Sequence, residues 1–95
     1  MKKFEVVFAI ELSDRETMED ITEDAEWHGE EVVELWDRVE FEGVQRTVEK
    51  DCEAEVALIF SVKDGDCSHM ALLVNAMMQS RLAEDGYTVQ EIITR

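Results

Sequence analysis

The sequence predicts a single α+β domain with the element order βαββαβ. Its 95 residues suffice for one domain, and 45% of them are apolar, so a core can form. Four segments show the two-residue alternation of half-buried strands, and two segments between them show helical spacing. The chain has no proline, no serine- and glycine-rich linker and no internal repeat, so residues 1–95 are predicted to fold as one unit.

The first strand and the first helix are predicted from an alternation followed by a capping signal. Every second residue from Phe4 to Leu12 is apolar, which is typical of a half-buried strand. Ser13 and Glu16 match a capping box, in which the serine caps the helix and the glutamate bonds back to the cap. Gly29 is predicted to end this helix, because glycine is common just after a helix C-terminus.

The segment after Gly29 allows two interpretations. Residues 31–42 alternate and predict a strand, with Val33, Leu35, Val39 and Phe41 on one face. A helix that continues through Gly29 is also consistent with the spacing of Met18, Ile21, Ala25, His28, Val32, Leu35 and Val39. We favour the strand, because glycine in a helix interior costs up to about 1 kcal/mol and the segment is rich in valine and aromatic residues.

The second half of the chain predicts a strand, a helix and a last strand. Residues 43–51 form a polar connection that extends the hairpin, and residues 54–62 form the third strand. A turn at residues 64–66 leads into the second helix, which ends near Gly86, and residues 87–94 form the last strand. These elements most simply make a ferredoxin-like fold, an antiparallel sheet of four strands with both helices on one face and the other face open.

Acidic residues dominate the charge and are concentrated in one part of the chain. Asp and Glu number 24 against 9 Lys and Arg, for a net charge of −15, and residues 14–55 carry −13 of it. This charge excludes direct binding of nucleic acid or of an anionic membrane surface through charge. The longest apolar run, residues 56–60, is far too short to span a membrane.

The residues that carry chemistry form no site. The two cysteines lack metal-binding spacing and predict reduced thiols in a cytoplasmic protein. Cys67 and His69 near the second helix are better explained as helix-start residues than as a catalytic pair. With Asp64 and Asp66 they match neither a zinc nor a calcium motif. We therefore predict no enzymatic activity, metal or cofactor, and a metal-dependent enzyme is the third hypothesis.

The acidic segments and two tryptophans supply the candidate partner-binding residues. Acids three and four apart on the first helix lie about 5–6 Å from each other. Alternate acids approaching the third strand lie about 6.6 Å apart on one side if that segment is extended. Trp27 on the helix and Trp36, expected on the open sheet face, are apolar anchors beside them. The candidates are Glu16, Glu19, Asp20, Glu23, Asp24, Glu26, Trp27, Trp36, Glu49, Asp51, Glu53 and Glu55.

In size, charge and lack of catalytic motifs, the chain resembles the acidic DNA mimics that phages use against restriction and CRISPR systems. The resemblance covers the character of the whole chain and no motif, so no functional residue is transferred. It implies an inhibitor that offers a phosphate-like carboxylate surface to a basic, nucleic-acid-handling protein. Such an inhibitor would act in the cytoplasm, which is that of the host cell if a phage encodes it.

Other interpretations of the acidity compete with this one. A merely solvating surface predicts interleaved lysines, yet the first helix has only Arg15 at its start. Adaptation to high salt predicts acid over the whole surface, yet residues 56–95 are nearly neutral. The alternative function is an assembly protein whose acid serves solubility. It would form a homodimer through an open sheet face bearing Val7, Ala9, Val32, Trp36, Ala57 and Ile59.

Overall fold

One antiparallel sheet and two helices make up the computed structural model, which describes residues 2–12, 17–50, 53–63 and 67–94. The elements are β1 (Lys2–Glu11), α1 (Met18–Val33), β2 (Val39–Lys50), β3 (Glu53–Val62), α2 (Cys67–Glu84) and β4 (Val89–Thr94). The four strands lie in the order β2-β3-β1-β4, and every neighbouring pair is antiparallel. The predicted βαββαβ order and ferredoxin-like arrangement are confirmed.

The core lies between one face of the sheet and both helices. Alternate residues of the two central strands face the helices, and Phe4 of β1 stacks on Phe60 of β3 with ring centroids 5.4 Å apart. The helices contribute Ile21, Ala25, Val32, Met70, Val74, Met78 and Leu82, all of them buried. Burying a large apolar side chain stabilises a fold by about 1.5–3 kcal/mol, so these contacts hold both helices on the same face.

Helix α1 begins at Met18, later than the capping box predicts. Its N-cap is Thr17, whose backbone is extended and whose hydroxyl accepts a hydrogen bond from the Asp20 backbone N–H at 3.2 Å. This bond satisfies one of the backbone donors that a helix start leaves unpaired. The helix thus starts four residues later than predicted, and Ser13 and Glu16 of the predicted capping box lie outside the described residues.

The prediction that Gly29 ends the first helix is also wrong. Helix α1 continues to Val33 because its buried positions keep helical spacing on both sides of the glycine, from Ala25 to Val32. Glycine is favoured at this position because a side chain would meet the Phe41 ring. A Cβ atom at position 29 would lie only 2.9 Å from Cε1 of the Phe41 ring. Gly29 thus permits a close approach between α1 and β2.

Strand β2 begins and ends later than predicted. The predicted strand over residues 31–42 is wrong for residues 31–38 and confirmed for residues 39–42, because α1 extends to Val33, residues 34–38 form a connection and pairing with β3 starts at Val39. Pairing then continues to Lys50, so most of the predicted connection at residues 43–51 is strand. The register shifts near Gly43, whose φ of +126° is a conformation that glycine adopts readily.

The second half of the fold follows the prediction closely. Strand β3 and helix α2 match the predicted third strand and second helix, and Gly86 follows α2 with a φ of +90°, as its predicted position after the helix requires. The turn predicted at residues 64–66 lies outside the described residues. Within the described ranges, neither helix is long and apolar enough to cross a membrane.

Candidate acidic interface on helix α1

The outer face of α1 carries a row of exposed carboxylates. At about 100° per residue, the buried positions of α1 lie on one side, and four glutamates project from the nearly opposite side. These four, which we call the glutamate row, are Glu19, Glu23, Glu26 and Glu30, all exposed. Successive members are three or four residues apart, so their Cβ atoms lie about 5–6 Å from each other.

Within the described residues, no lysine or arginine side chain compensates the charge of the glutamate row. Helix α1 contains no lysine or arginine from Met18 to Val33, its last turn included. Among the described residues, no basic side chain lies within 4.0 Å of a carboxylate of the row. Neighbouring like charges at this spacing destabilise a helix by a few tenths of a kcal/mol per pair. The four carboxylates are therefore exposed to solvent without a basic partner from the described part of the chain.

Other acids of α1 are engaged on the side that faces α2 and β4. The Tyr87 hydroxyl donates a hydrogen bond to Asp24 Oδ2, and Arg81 Nη1 lies 4.0 Å from Glu31 Oε1. Asp20 is exposed in the first turn, where a negative charge interacts favourably with the helix dipole. Asp24 and Glu31 thus connect α1 to neighbouring parts of the fold, whereas Asp20, and Glu19 of the row in the same turn, interact with the helix dipole.

Trp27 is an exposed aromatic side chain beside the glutamate row. Its residue is 55% exposed, yet its indole meets the His28 ring edge-on, with centroids 5.0 Å apart and an interplanar angle of 65°. His28 is buried, and its Nε2 lies 2.5 Å from Oδ2 of Asp85 beyond the end of α2. The indole thus contacts a buried neighbour, and about half of the residue's surface remains exposed to solvent.

Three acids on the open face of the sheet lie beside basic side chains. Arg46 of β2 reaches across β3, placing Nη1 2.9 Å from Glu5 Oε1 on β1 and Nη2 3.6 Å from Glu55 Oε1. Lys63 Nζ lies 2.7 Å from Glu40 Oε1, and this hydrogen bond and the charge of Glu40 raise the pKa of the lysine. The sheet face therefore differs from the outer face of α1 in carrying bases among its acids.

The predicted row of acids before the third strand is divided between two faces. Glu49 pairs with Ala54, whose side chain lies in the core, so Glu49 is on the helix side of the sheet. Glu53 and Glu55 of β3 alternate with Ala54 and therefore lie on the open face. Asp51 lies outside the described residues. The prediction that these acids point the same way is wrong because the chain reverses between Lys50 and Glu53, which pair with each other.

Trp36 does not lie on the open sheet face. It sits in the connection between α1 and β2, partly buried against the core on the helix side, and Val32 is a core residue of α1. The open face does carry Val7 and Ala57, which pair with each other, but both are buried, and Arg46, the β2 partner of Ala57, extends across this face to Glu5. The apolar patch is therefore smaller than predicted, and a homodimer through it stays a prediction.

Cys67 and His69 do not form a pair on one side of α2. They are the first and third residues of the helix, and residues two apart on a helix do not face each other. Cys67 is partly buried with a free thiol. The described parts of the chain contain no group of three or more His, Cys, Asp or Glu side chains arranged to hold a metal ion.

Sequence reasoning missed Glu30 and the anchoring of Trp27. Glu30 joins the glutamate row only because α1 continues through Gly29, which the helical spacing of the alternative interpretation already indicated. The contact between His28 and Asp85 joins residues 57 positions apart and has no local signal in the sequence. No protein-family model matches the chain, and no curated protein matches it, so a functional hypothesis rests on the surface itself.

Proposed function

We propose that this protein is a non-enzymatic binding protein or inhibitor that presents the glutamate row to the basic site of a nucleic-acid-handling protein. The observation that carries the proposal is a row of four exposed carboxylates on a helix without lysine or arginine, with no basic partner among the described residues. Such a row costs folding free energy and contributes nothing to the core, which supports a use in contacts outside the chain.

The spacing of the row supports an interaction with a phosphate-binding cleft. The row extends over about 16 Å, and neighbouring glutamates advance about 4.5–6 Å along the helix axis. Phosphates along one strand of duplex DNA advance about 3.4 Å per nucleotide. A basic cleft lined by flexible lysine and arginine side chains can pair with either array, because each contact is modest, screened and tolerant in geometry.

The difference between the helix and the sheet argues against solvation as the only role. A surface whose charge only keeps the protein in solution is expected to mix both signs, which avoids a large field of one sign. The open sheet face has this character, because Arg46 and Lys63 stand among its acids. The outer face of α1 lacks bases along its whole length. This concentration of one sign on one helix is typical of a surface that steers an oppositely charged partner.

Two variants of equal net charge test the proposal. The row variant carries Glu19→Gln, Glu23→Gln and Glu26→Gln, and the control variant carries Glu11→Gln, Asp37→Asn and Glu84→Gln. All six side chains are exposed, and each variant loses three negative charges. The wild type and both variants are used to capture proteins from lysate, with and without excess duplex DNA. They are then assayed as inhibitors of DNA cleavage by restriction and Cas9-type nucleases.

We expect the wild type and the control variant to capture the same nucleic-acid-binding protein, and DNA to displace it. The row variant should bind about 5- to 100-fold more weakly, since each exposed charge contact contributes about 0.3–1 kcal/mol. Equal binding by all three proteins, or capture that excess DNA leaves unchanged, would contradict the proposal.

A further inference from the structure

We infer that Trp27 forms a recognition site for an arginine side chain of the basic partner, an inference that rests on the proposed function. The site is the exposed face of the indole together with two carboxylates of the glutamate row, Glu23 and Glu30. An arginine can stack its guanidinium plane on the indole while its N–H groups pair with a carboxylate.

The indole is held in place before any partner binds. Its contact with the His28 ring fixes one edge, and His28 is itself held by Asp85 at 2.5 Å. His28 is 3% exposed, so this support is part of the folded interior. A held aromatic surface loses little conformational entropy on binding, which favours a specific contact over a diffuse one.

Free carboxylates lie on either side of the indole along the helix. Glu23 precedes Trp27 by four residues and Glu30 follows it by three, so both lie about 5–6 Å away as measured between Cβ atoms. The acids on the other side of Trp27 are engaged, Asp24 by Tyr87 and Glu31 near Arg81. The unpaired negative charge around the indole is therefore on its solvent side.

This arrangement complements arginine better than lysine. The guanidinium group is planar, weakly hydrated and able to bond a carboxylate through two parallel N–H groups, whereas the ammonium group is a compact and strongly hydrated point charge. A surface that acts by charge alone would bind arginine and lysine side chains with more nearly equal affinity. The indole among unpaired carboxylates therefore selects an arginine-bearing segment as its occupant.

The test compares two peptides of equal charge, nona-arginine and nona-lysine, each labelled for fluorescence anisotropy at two salt concentrations. The proteins are the wild type, Trp27→Leu, Trp27→Phe and the row variant. For each protein we take the ratio of its dissociation constants for nona-lysine and nona-arginine. Because the two peptides carry the same charge, the contribution of overall charge to binding cancels in this ratio. Thermal melting of every variant checks the fold.

We expect the wild type to bind nona-arginine more tightly than nona-lysine, and Trp27→Leu to reduce that preference by about two- to fivefold, the range for an exposed cation–π contact. Trp27→Phe should retain part of the preference. The row variant should weaken the binding of both peptides. An unchanged ratio in Trp27→Leu would overturn the inference while leaving the proposed function intact, whereas undiminished binding by the row variant would contradict the proposed function.

A second copy of the chain is the rival occupant of this surface. In that case the wild type would run as a dimer in sedimentation experiments, Trp27→Leu would run as a monomer, and the peptide ratio would not change. That outcome would also overturn the inference. A monomeric wild type with the ratio change described above supports it.

Discussion

Gly29 lies at a close contact between helix α1 and strand β2. The substitution of alanine for Gly29 adds one methyl group and tests whether that contact has room for it. In an exposed helix interior, Gly→Ala stabilises by up to about 1 kcal/mol. Here the added Cβ would lie 2.9 Å from the Phe41 ring, which itself packs on Phe60 with centroids 5.3 Å apart. We therefore expect Gly29→Ala to lower the free energy of unfolding by about 1 kcal/mol, measured by urea denaturation.

A second substitution separates the steric cost of the added Cβ atom from the gain in helix propensity that alanine brings. In a Phe41→Leu background the ring is absent, so Gly29→Ala should be neutral or stabilising. The interaction energy between the two substitutions, taken from the double-mutant cycle, should then be about 1 kcal/mol or more. A Gly29→Ala protein that melts above the wild type would contradict the explanation.

Arg46 joins three strands of the sheet through its side chain. It pairs in β2, crosses β3 and donates a hydrogen bond to Glu5 of β1 at 2.9 Å, while the Glu5 side chain is only 13% exposed. Arg46→Met keeps an apolar cover over Ala57 but leaves Glu5 and Glu55 without their cation. We expect a loss of about 1–2 kcal/mol in the free energy of unfolding, because a largely buried carboxylate loses its partner.

Lys2→Met is the matched control, since it also removes one positive charge, from an exposed side chain at the start of β1. Its effect should stay within about 0.5 kcal/mol. Equal losses in both variants would mean that net charge, and not the contact of Arg46 with its acids, determines the effect.

At the level of elements, the sequence predicts the order and the sheet correctly but misplaces the boundary between α1 and β2. Residues 31–42 satisfy both a two-residue and a helical period, and local preference against glycine in a helix favoured the strand. The outcome was decided by burial of the helical stripe that runs through Gly29, and the close approach of Phe41 makes glycine favourable at that position. The same boundary decides whether Glu30 belongs to the glutamate row and where Trp36 lies.

The part of the candidate surface that lies on helix α1 could be predicted from the sequence. The exposed acids of α1 follow from sequence and helical period alone. The acids from Glu49 to Glu55 could not be placed in this way, because the reversal of the chain between Lys50 and Glu53 separates them. Pairing across a sheet is a property of distant residues, so alternation along the chain cannot reveal it.

The whole molecule carries a net charge of −15 on 95 residues, and its stability should therefore depend on salt. We expect sodium chloride added from 0.02 to 0.5 M to raise the melting temperature, because repulsion among exposed carboxylates is screened as the Debye length falls below about 10 Å. The row variant should respond less than the wild type, since it has lost the most crowded of these charges. A melting temperature that falls with salt would mean that ion pairs outweigh repulsion.

Because the buried and the exposed residues of α1 are different, the exposed side can change in evolution without disturbing the core. The residues that hold the helix on the sheet, Ile21, Ala25 and Val32 among them, are different from those that project into solvent. Substitutions in the glutamate row leave every core contact in place. If the binding surface of a partner changes, the exposed residues of α1 can therefore be substituted one at a time. Each intermediate protein is expected to fold, so selection can act on it.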